Sequence, residues 1–446
     1  MESPARRTVI RVTRRLLVCG LSCLLLAAAG CGNGQRAADA RAAHGEAGST
    51  RGAPVAPTLA ASRDARGTVR FCTGKDFSGA YTKAIERFNA RYGGQGLEAR
   101  LVELPISTDE QRRQTILRLQ MRSAECDVFQ ADPTWIAEFS RQRWLMDMTA
   151  YVRTRADEFI GSTLAPFHYD GRYWGVPQFT GAGLLFRRTD QVPTAPSTWQ
   201  EAYREAAAHE GLAYQGAAYE GLTVNFLEIA YAAGGRVLSD DGRRAVLDSP
   251  ANLRALRFMV DGVESGAALR AVTTYLEEPT RFAFEAGRAT LMRNWPYAYP
   301  LAAKAPAVRG RFAVSPLPAF EGGQRAGVLG GNGPVLSSYS GNPRAGMLLI
   351  DHLTSPRTIE ENMAVHFLPS VLHASYESPA VRRAVPFAGT IKQAIEQARP
   401  RPVSPVYPEI TQAIHDNVNA ALSGRISAED ALEQAQRQIE EALNRF

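Results

Sequence analysis

The sequence predicts an α/β protein built on a parallel, doubly wound sheet. Three observations support this prediction: the order of strand and helix patterns from residue 69 to residue 129, the composition, and the length. Strands that alternate with helices are typical of a parallel sheet covered by helices. A chain with 45% hydrophobic and 22% charged residues has a globular composition, and residues 67–446 are enough for two lobes of ordinary domain size.

The strand and helix patterns alternate from the start of the globular part. The predicted strands are residues 69–72, 97–104 and 127–129. The helix after the first strand has apolar residues on one face, namely Tyr81, Ile85 and Phe88. A second helix begins at about Asp109. In such a sheet, ligands bind beyond the carboxyl ends of the strands, and the loops there are residues 73–79, 105–110 and 131–135.

The middle and the end of the chain are predicted to be largely helical. Helix patterns cover residues 197–209, 223–233 and 250–265. Ser427 is a predicted cap of the last helix, with Asp430 three residues on, and the helix carries an apolar stripe formed by Leu432, Ala435, Ile439 and Leu443.

The N-terminus has the pattern of an export signal over residues 1–30. An n-region with five arginines precedes an apolar run over residues 16–29, and small residues then precede Cys31. The run is shorter than the roughly 20 residues that a membrane-spanning helix needs. The small-small-Cys ending resembles the lipobox of bacterial lipoproteins, which implies lipidation of Cys31; an ordinary signal with an incidental cysteine is the alternative. Residues 13–17 also resemble a twin-arginine signal, and the export route stays open.

The segment that follows the signal is predicted to be a flexible tether over residues 31–66. It consists mainly of Ala, Gly, Arg, Ser, Pro and Asp and has no apolar periodicity. The net charge of the whole chain is +6, but residues 1–30 hold five arginines and one glutamate, a net +4, so +2 remains. This balance gives no support to nucleic-acid binding.

Two cysteines, Cys72 and Cys126, remain after the signal and the predicted lipidation site. Neither belongs to a CxxC motif or to a metal-type spacing. They could pair outside the cell. Since each lies in or beside a predicted core strand, the favoured interpretation is two buried thiols.

Several segments in a fixed order resemble the extracellular solute-binding protein family that includes the maltose- and trehalose-binding proteins. They span the whole globular part and are Thr73-Gly-Lys-Asp-Phe-Ser-Gly79, Glu110-Gln-Arg112, Asp127-Val-Phe-Gln-Ala-Asp132 with Trp135 and Phe139, Tyr219-Glu-Gly-Leu-Thr223, Asn294-Trp-Pro-Tyr-Ala-Tyr299, Gly330-Gly331 and Arg401-Pro-Val-Ser-Pro405. No single segment is decisive, and the ordered set carries the resemblance.

The resemblance implies a two-lobed periplasmic-binding-protein-like fold with a ligand cleft between the lobes and three crossings between them. The crossings are expected near residues 177–180, 332–334 and 374–378. Lobe 1 is then predicted to comprise residues 67–178 and 334–375, and lobe 2 residues 179–333 and 376–446.

A sugar offers hydroxyl groups and weakly apolar ring faces, so its site needs flat aromatic surfaces and fixed polar partners. Trp295 and Tyr297 are the predicted stacking residues, since in an extended segment a spacing of two places both rings on one side. The alternative is packing in a lobe core, for these two residues and for Tyr299.

Asp132 and Arg112 are predicted to bind sugar hydroxyls, as an acceptor and as a bidentate donor. By resemblance, both positions contact sugar in the family. Asp132 could instead cap the following helix, and Arg112 could lie on a solvated helix face. Asp76 and Ser107 occupy the other two strand-end loops, where turn chemistry alone also explains them.

The remaining predicted ligand-binding residues come from the second half of the chain. Tyr219 and Glu220 match the family's contacts from the second lobe, although Glu220 also suits a helix N-terminus. Gly330 and Gly331 let the backbone approach a ligand, with a hairpin turn as the alternative. Asn332 stands where many relatives have tryptophan, and Gly181 stands where disaccharide-binding relatives tend to have an acidic or amide residue. Arg401 lies in extended chain before a proline, from which it can reach across the cleft.

These features predict an extracytoplasmic, membrane-anchored substrate-binding lipoprotein of an ABC transporter that binds a disaccharide such as trehalose or maltose. Its expected partners are the sugar, the permease subunits and the membrane through Cys31, and the protein is expected to be a monomer without a cofactor or metal. The alternatives are a sensing or scaffold lipoprotein of the same fold and a glycosidase that uses two of the carboxylates of Asp76, Asp132 and Glu220. The sequence has no GxSxG, HExxH or Walker motif.

Overall fold

The computed structural model describes residues 52–76, 78–105 and 107–445. The predicted signal peptide, Cys31 and the first part of the predicted tether lie outside these residues. Among the described residues, no helix is both long and apolar enough to cross a membrane.

Seventeen α-helices are assigned in the described residues: α1 Leu59–Ser62, α2 Ala80–Tyr92, α3 Thr108–Gln120, α4 Ile136–Arg141, α5 Thr149–Arg153, α6 Gly161–Leu164, α7 Trp199–Ala207, α8 Glu220–Ala232, α9 Pro250–Ser265, α10 Glu277–Glu285, α11 Ala298–Ala302, α12 Pro343–Leu353, α13 Pro356–His366, α14 Pro379–Ala384, α15 Ala388–Gln397, α16 Tyr407–Leu422 and α17 Ala428–Asn444. The strands are β1 Gly67–Gly74, β2 Leu97–Leu104, β3 Val128–Ala131, β4 His168–Tyr169, β5 Arg172–Tyr173, β6 Phe179–Gly181, β7 Leu184–Arg188, β8 Leu212–Ala213, β9 Leu291–Asn294, β10 Phe312–Pro316, β11 Gly327–Val328, β12 Gly330–Leu336 and β13 Ala398–Arg399.

Lobe 1 is organised by a five-stranded sheet with the order β2-β1-β3-β12-β6. Strands β1, β2 and β3 are parallel, with Phe71 opposite Leu101 on one side and Val128 on the other. Helices α2 and α3 lie between these strands in the chain. This order confirms the predicted alternation, and the face of α2 with Tyr81, Ile85 and Phe88 packs into the core.

Lobe 2 is organised by a four-stranded sheet with the order β10-β7-β9-β8. In this sheet β7 is antiparallel to both of its neighbours, and only β8 and β9 are parallel. The helices α8, α9, α16 and α17 share one large hydrophobic core. Ser427 caps α17 by accepting the amide of Asp430, as predicted.

Two antiparallel strands, β6 and β12, carry the chain between the lobes. Residues 333–336 of β12 pair with β3, whereas residues 330–332 pair with β6, which leads directly to β7 of lobe 2. After Leu372, which still packs in the core of lobe 1, Tyr376 and Val381 join a core that contains Phe186 of β7. The three crossings therefore lie close to their predicted positions. The predicted lobe boundaries stay a prediction at the level of single residues.

Residues 54–66 pack against lobe 1, which corrects the predicted extent of the tether. The amide of Ala56 donates to the carbonyl of Asp147 at 2.9 Å, and α1 lies beside α12. Ala65 is 4% exposed, and Leu59 packs against the same core. The composition of this segment suggested a tether because its few apolar residues show no period, yet these residues are enough to hold it on the lobe.

Cys72 and Cys126 form a disulfide, so the favoured interpretation of two buried thiols was wrong. Their Cα atoms are 5.7 Å apart, within the normal range for a bridge. Cys72 lies in β1, and Cys126 comes two residues before β3, its neighbour in the sheet. The parallel pairing of these strands brings the two cysteines together, which no local sequence pattern could show.

His352 is expected to make stability depend on pH. Its Nε2 atom is 2.9 Å from the carbonyl oxygen of Ala84, and burial, followed by the nearby Arg87 and Arg91, lowers the pKa of its ring. The unfolded chain therefore takes up a proton near pH 6.5, whereas the folded chain takes it up only at lower pH, and stability falls as the pH drops below 6.5.

The His352→Gln variant should remove this dependence, which we expect to amount to roughly 1 kcal/mol between pH 7.5 and pH 5.5. Urea unfolding at the two pH values measures it. The matched control is His209→Gln, because His209 is exposed. If the stability of the wild type and that of His352→Gln depend on pH in the same way, His352 is not the source of the dependence.

Candidate functional site

A cavity between the two lobes contains most of the predicted ligand-binding residues. It holds about 850 Å³ of space between atoms, including the open solvent at its mouth. Ligand pockets typically have volumes of roughly 300–1,000 Å³. The cavity is lined by Thr108, Asp132, Phe179, Thr180, Gly181, Tyr219, Glu220, Gly221, Val224, Glu277, Trp295, Pro296, Tyr297, Gly330, Gly331, Asn332, Phe367, Leu368, Pro369 and Arg401.

Trp295 and Tyr297 supply aromatic surface to this cavity from the segment after β9. The reason given for their shared orientation was wrong, because Tyr297 has a helical backbone (φ −59°, ψ −24°) at the start of α11 and the segment is not extended. The Tyr297 hydroxyl donates to Oε1 of Glu278 at 2.8 Å. Tyr299 lies in the lobe 2 core instead, with its ring centroid 4.1 Å from that of Phe387.

Arg401, Asp132 and Glu220 form a buried cluster that we term the charge bridge. Nη2 of Arg401 donates to both carboxylate oxygens of Asp132, at 2.9 and 3.1 Å, and Nη1 donates to Oε1 of Glu220 at 2.8 Å. Asp132 follows β3 of lobe 1, whereas Glu220 begins α8 of lobe 2. The bridge therefore connects the two lobes through one guanidinium group whose side chain is 4% exposed.

Neighbouring side chains hold the charge bridge in place. The hydroxyls of Tyr407 and Thr411 donate to Glu220 at 2.6 and 2.5 Å. Asp132 also accepts the amide and hydroxyl of Thr134, so it caps the short helix at Pro133–Trp135 while it pairs with the arginine. Burial alone would lower the pKa of Arg401, but the two carboxylates raise it above its ordinary value.

Glu277, at the start of α10, lines the cavity and was not predicted from the sequence. Burial raises the pKa of its carboxyl group. The nearby Tyr219 hydroxyl is buried and has no hydrogen bond of good geometry among the described residues, and burial, then the proximity of Glu277, raises its pKa. These two groups are suited to a ligand that offers hydroxyls. The sequence around Glu277 has no feature that distinguishes it from a surface glutamate.

Gly330, Gly331 and Asn332 pair with strand β6 and also line the cavity. Gly331 has φ +112°, and a Cβ atom there would lie 2.3 Å from the carbonyl oxygen of Phe179 in β6. The glycine pair therefore belongs to the contact between β12 and β6 and does not form a hairpin turn. Gly181, Gly330 and Asn332 line the cavity from the same two strands.

Three predicted residues lie elsewhere: Asp76, Ser107 and Arg112 are not among the described residues that line the cavity. Asp76 accepts hydrogen bonds from the amide and the hydroxyl of Thr82 at 2.8 and 2.9 Å, so it stabilises the first turn of α2. Ser107 is exposed at the N-terminus of α3. Arg112 forms an ion pair with Glu138.

The described part of the chain contains no group of three His, Cys, Asp or Glu side chains that could hold a metal ion. The described lining of the cavity presents aromatic surfaces, hydroxyl groups and the charge bridge.

Comparison with known proteins gives a consistent result. The family model for bacterial extracellular solute-binding proteins matches residues 74–360. A probable ABC transporter-binding protein of Deinococcus radiodurans is 28% identical over 369 residues, which are 77% of this chain and 86% of that protein. The solved structure of maltose-bound MalE3 from T. maritima is 32% identical and has a TM-score of 0.79, with 84% of this chain and 99% of that chain covered.

A second solved structure, a solute-binding protein from Thermotoga lettingae TMO bound with α-D-tagatose, shares the fold. It is 23% identical, has a TM-score of 0.76, and the match covers 84% of this chain and 99% of that chain. The agreement with these structures confirms the predicted two-lobed α/β fold.

Proposed function

Because this chain belongs to the bacterial extracellular solute-binding protein family, whose members act outside the cytoplasm, we propose that it captures a sugar for an ABC importer. The ligand in this proposal is a disaccharide such as maltose or trehalose. The family relationship and the ABC transporter-binding protein of D. radiodurans support transport, and the maltose-bound MalE3 of T. maritima supports a maltose-type sugar.

One observation carries the proposal: the charge bridge and the two aromatic side chains line a single cavity and come from both lobes. Trp295 and Tyr297 offer surfaces on which a sugar ring can stack. Asp132, Glu220 and Arg401 offer charged hydrogen-bond partners at fixed positions. A site of this kind is suited to holding a polar ring without reacting with it, and we propose that the protein is not an enzyme.

We also propose that lipidation of Cys31 anchors the protein at the outer face of the cell membrane and that it acts as a monomer with permease subunits. The small residues before Cys31 support the anchor. The first described residues pack on lobe 1, so the tether in this proposal is limited to residues 31–53.

Isothermal titration calorimetry and thermal shift with maltose, trehalose, sucrose and cellobiose test the proposed function. A sugar at 100 times its dissociation constant stabilises the folded protein by about 2.7 kcal/mol, which raises the melting temperature visibly. If none of the four sugars gives saturable heat, the proposal of a disaccharide receptor fails. Release of monosaccharide during incubation would instead favour an enzyme.

The charges around the cavity predict discrimination against anionic sugars. The charged residues among the described lining are Asp132, Glu220, Glu277 and Arg401, so carboxylates outnumber the single cation. We expect trehalose 6-phosphate to bind on the order of 100-fold more weakly than trehalose, because a buried phosphate would lie near three carboxyl groups and a single cation that two of them already engage. Calorimetry measures the ratio, with 6-O-acetyltrehalose as the control for added bulk without charge. Equal losses for the phosphate and the acetyl derivative would show that size, not charge, decides.

A further inference from the structure

Arg293 is a fully buried arginine beneath the cavity, and the proposed sugar contacts do not include it. It lies in β9, two residues before Trp295, and its side chain is 1% exposed. Nε and Nη2 donate to the two carboxylate oxygens of Glu228, the former at 2.8 Å, and Nη1 donates to Oε1 of Gln215 at 3.0 Å. Every part of the guanidinium group is thus fixed by a side chain on lobe 2.

The guanidinium group of Arg293 also covers one face of Trp295. Its central carbon lies 4.2 Å from the centroid of the indole ring. At the edge of the ring, a Cβ atom on Gly330 would come within 2.9 Å of the indole, so the backbone of β12 is in close contact with it. Trp295 is consequently held by Arg293 on a face and by β12 at an edge, and its remaining surface lines the cavity.

The carboxylate of Glu228 connects this arrangement to both crossing strands. The backbone amides of Gly183, just after β6, and Val328, just before β12, lie within hydrogen-bonding reach of it. A Cβ atom on Gly183 would be 2.5 Å from Oε1 of Glu228 and 2.7 Å from Nε of Arg293. The ion pair therefore lies directly against the segments that join the lobes.

A buried ion pair contributes little net stability, because the cost of removing both charges from water offsets most of their attraction. The geometry of the pair indicates its role. Three hydrogen bonds fix the plane of the Arg293 guanidinium group, and the indole ring that stacks on it is held in the matching plane. We propose that Arg293, held by Glu228, is a positioning residue that sets the plane of Trp295 for stacking on the sugar and links that plane to the crossing strands. This inference rests on the proposed function for its effect on affinity but not for its effect on the indole.

The Arg293→Lys variant tests the inference, since it keeps the charge next to Glu228 but loses the planar stack and the bidentate bond. We expect maltose affinity, measured by calorimetry, to fall on the order of tenfold. The control is Arg155→Lys, because Arg155 also combines an ion pair, with Glu158, and a stack on an aromatic ring, Phe159, but lies away from the cavity. That variant should bind maltose within twofold of the wild type.

A double-mutant cycle separates positioning from general loosening of the lobe. If Arg293 acts through Trp295, Arg293→Lys should have little further effect on maltose affinity in a Trp295→Ala background. A tenfold loss that persists in the absence of the indole would overturn the inference.

The indole N–H resonance of Trp295 gives a readout that needs no sugar. It is identified by its disappearance in Trp295→Phe, and it should shift or broaden in Arg293→Lys and stay unchanged in Arg155→Lys. Shifted resonance without binding of any sugar would count against the proposed function alone. If Arg293→Lys folds poorly, Arg293→Met combined with Glu228→Gln removes both charges together; an unmoved Trp295 resonance in either folded variant refutes the positioning role.

Discussion

Replacing both Cys72 and Cys126 with alanine is expected to lower the free energy of unfolding of the protein by roughly 4 kcal/mol. The bond closes a loop between residues 54 positions apart, and a loop of this length removes about that much chain entropy from the unfolded state. It also fastens β1 to the chain just before β3, at the centre of the lobe 1 sheet. Guanidinium unfolding followed by circular dichroism measures the change.

Treatment with a reductant provides the control. It should shift the unfolding midpoint of the wild type toward that of the double alanine variant and leave the variant itself unchanged. Peptide mapping after alkylation without reductant should find Cys72 and Cys126 unmodified. Alkylation of both residues in the unfolded, non-reduced protein would show that the bond does not form.

Sequence analysis predicted correctly those parts of the fold that depend on residues close together in the chain. The apolar face of α2 and the cap at Ser427 are local signals, and both are present. The pairing of Cys72 with Cys126 depends on which strands are neighbours in the sheet, and this is not a local property. The same holds for residues 54–66, whose few apolar side chains are buried only because α12 provides a surface for them.

Most residues of the candidate site could be predicted from the sequence. The predictions failed most often for charged residues, because the same charged side chain can bind a ligand or form an ion pair elsewhere. Nine of the twelve predicted ligand-binding residues line the cavity, including Trp295 and Arg401. Arg112 does not, because Glu138 holds it on lobe 1. Glu277 and Arg293 were missed, since a glutamate or arginine is normally exposed and its burial depends on partners distant in the chain.

The positions of Asp132 and Glu220 explain why loops from two lobes form one site. Each carboxylate is fixed within its own lobe, Asp132 by Thr134 and Glu220 by Tyr407 and Thr411. Arg401 is then the contact that the two share. Because Arg401 contacts both carboxylates, the spacing of the lobes and the shape of the cavity depend on the same side chain.

Replacing Arg401 with methionine is therefore expected to affect stability and binding together. The change leaves Asp132 and Glu220 buried without their cation, and the free energy of unfolding should fall by about 3–5 kcal/mol at pH 7.5. Sugar affinity should fall at least tenfold, because a charged donor is lost and the charge bridge no longer connects the lobes at the cavity. Urea unfolding and calorimetry with maltose measure the two effects.

A second substitution at this position distinguishes loss of the cation from loss of packing. Arg401→Lys keeps a positive charge beside Asp132 and Glu220, whereas Arg401→Met keeps apolar volume and removes the charge. We therefore expect Arg401→Lys to retain more of the wild-type stability than Arg401→Met in urea unfolding. The control is Arg399→Met, since Arg399 lies two residues earlier and is exposed, and it should change neither stability nor sugar affinity. Equal losses of stability in Arg401→Lys and Arg401→Met would mean that the positive charge is not what holds the two carboxylates, and the charge bridge would then not explain how the lobes are held together.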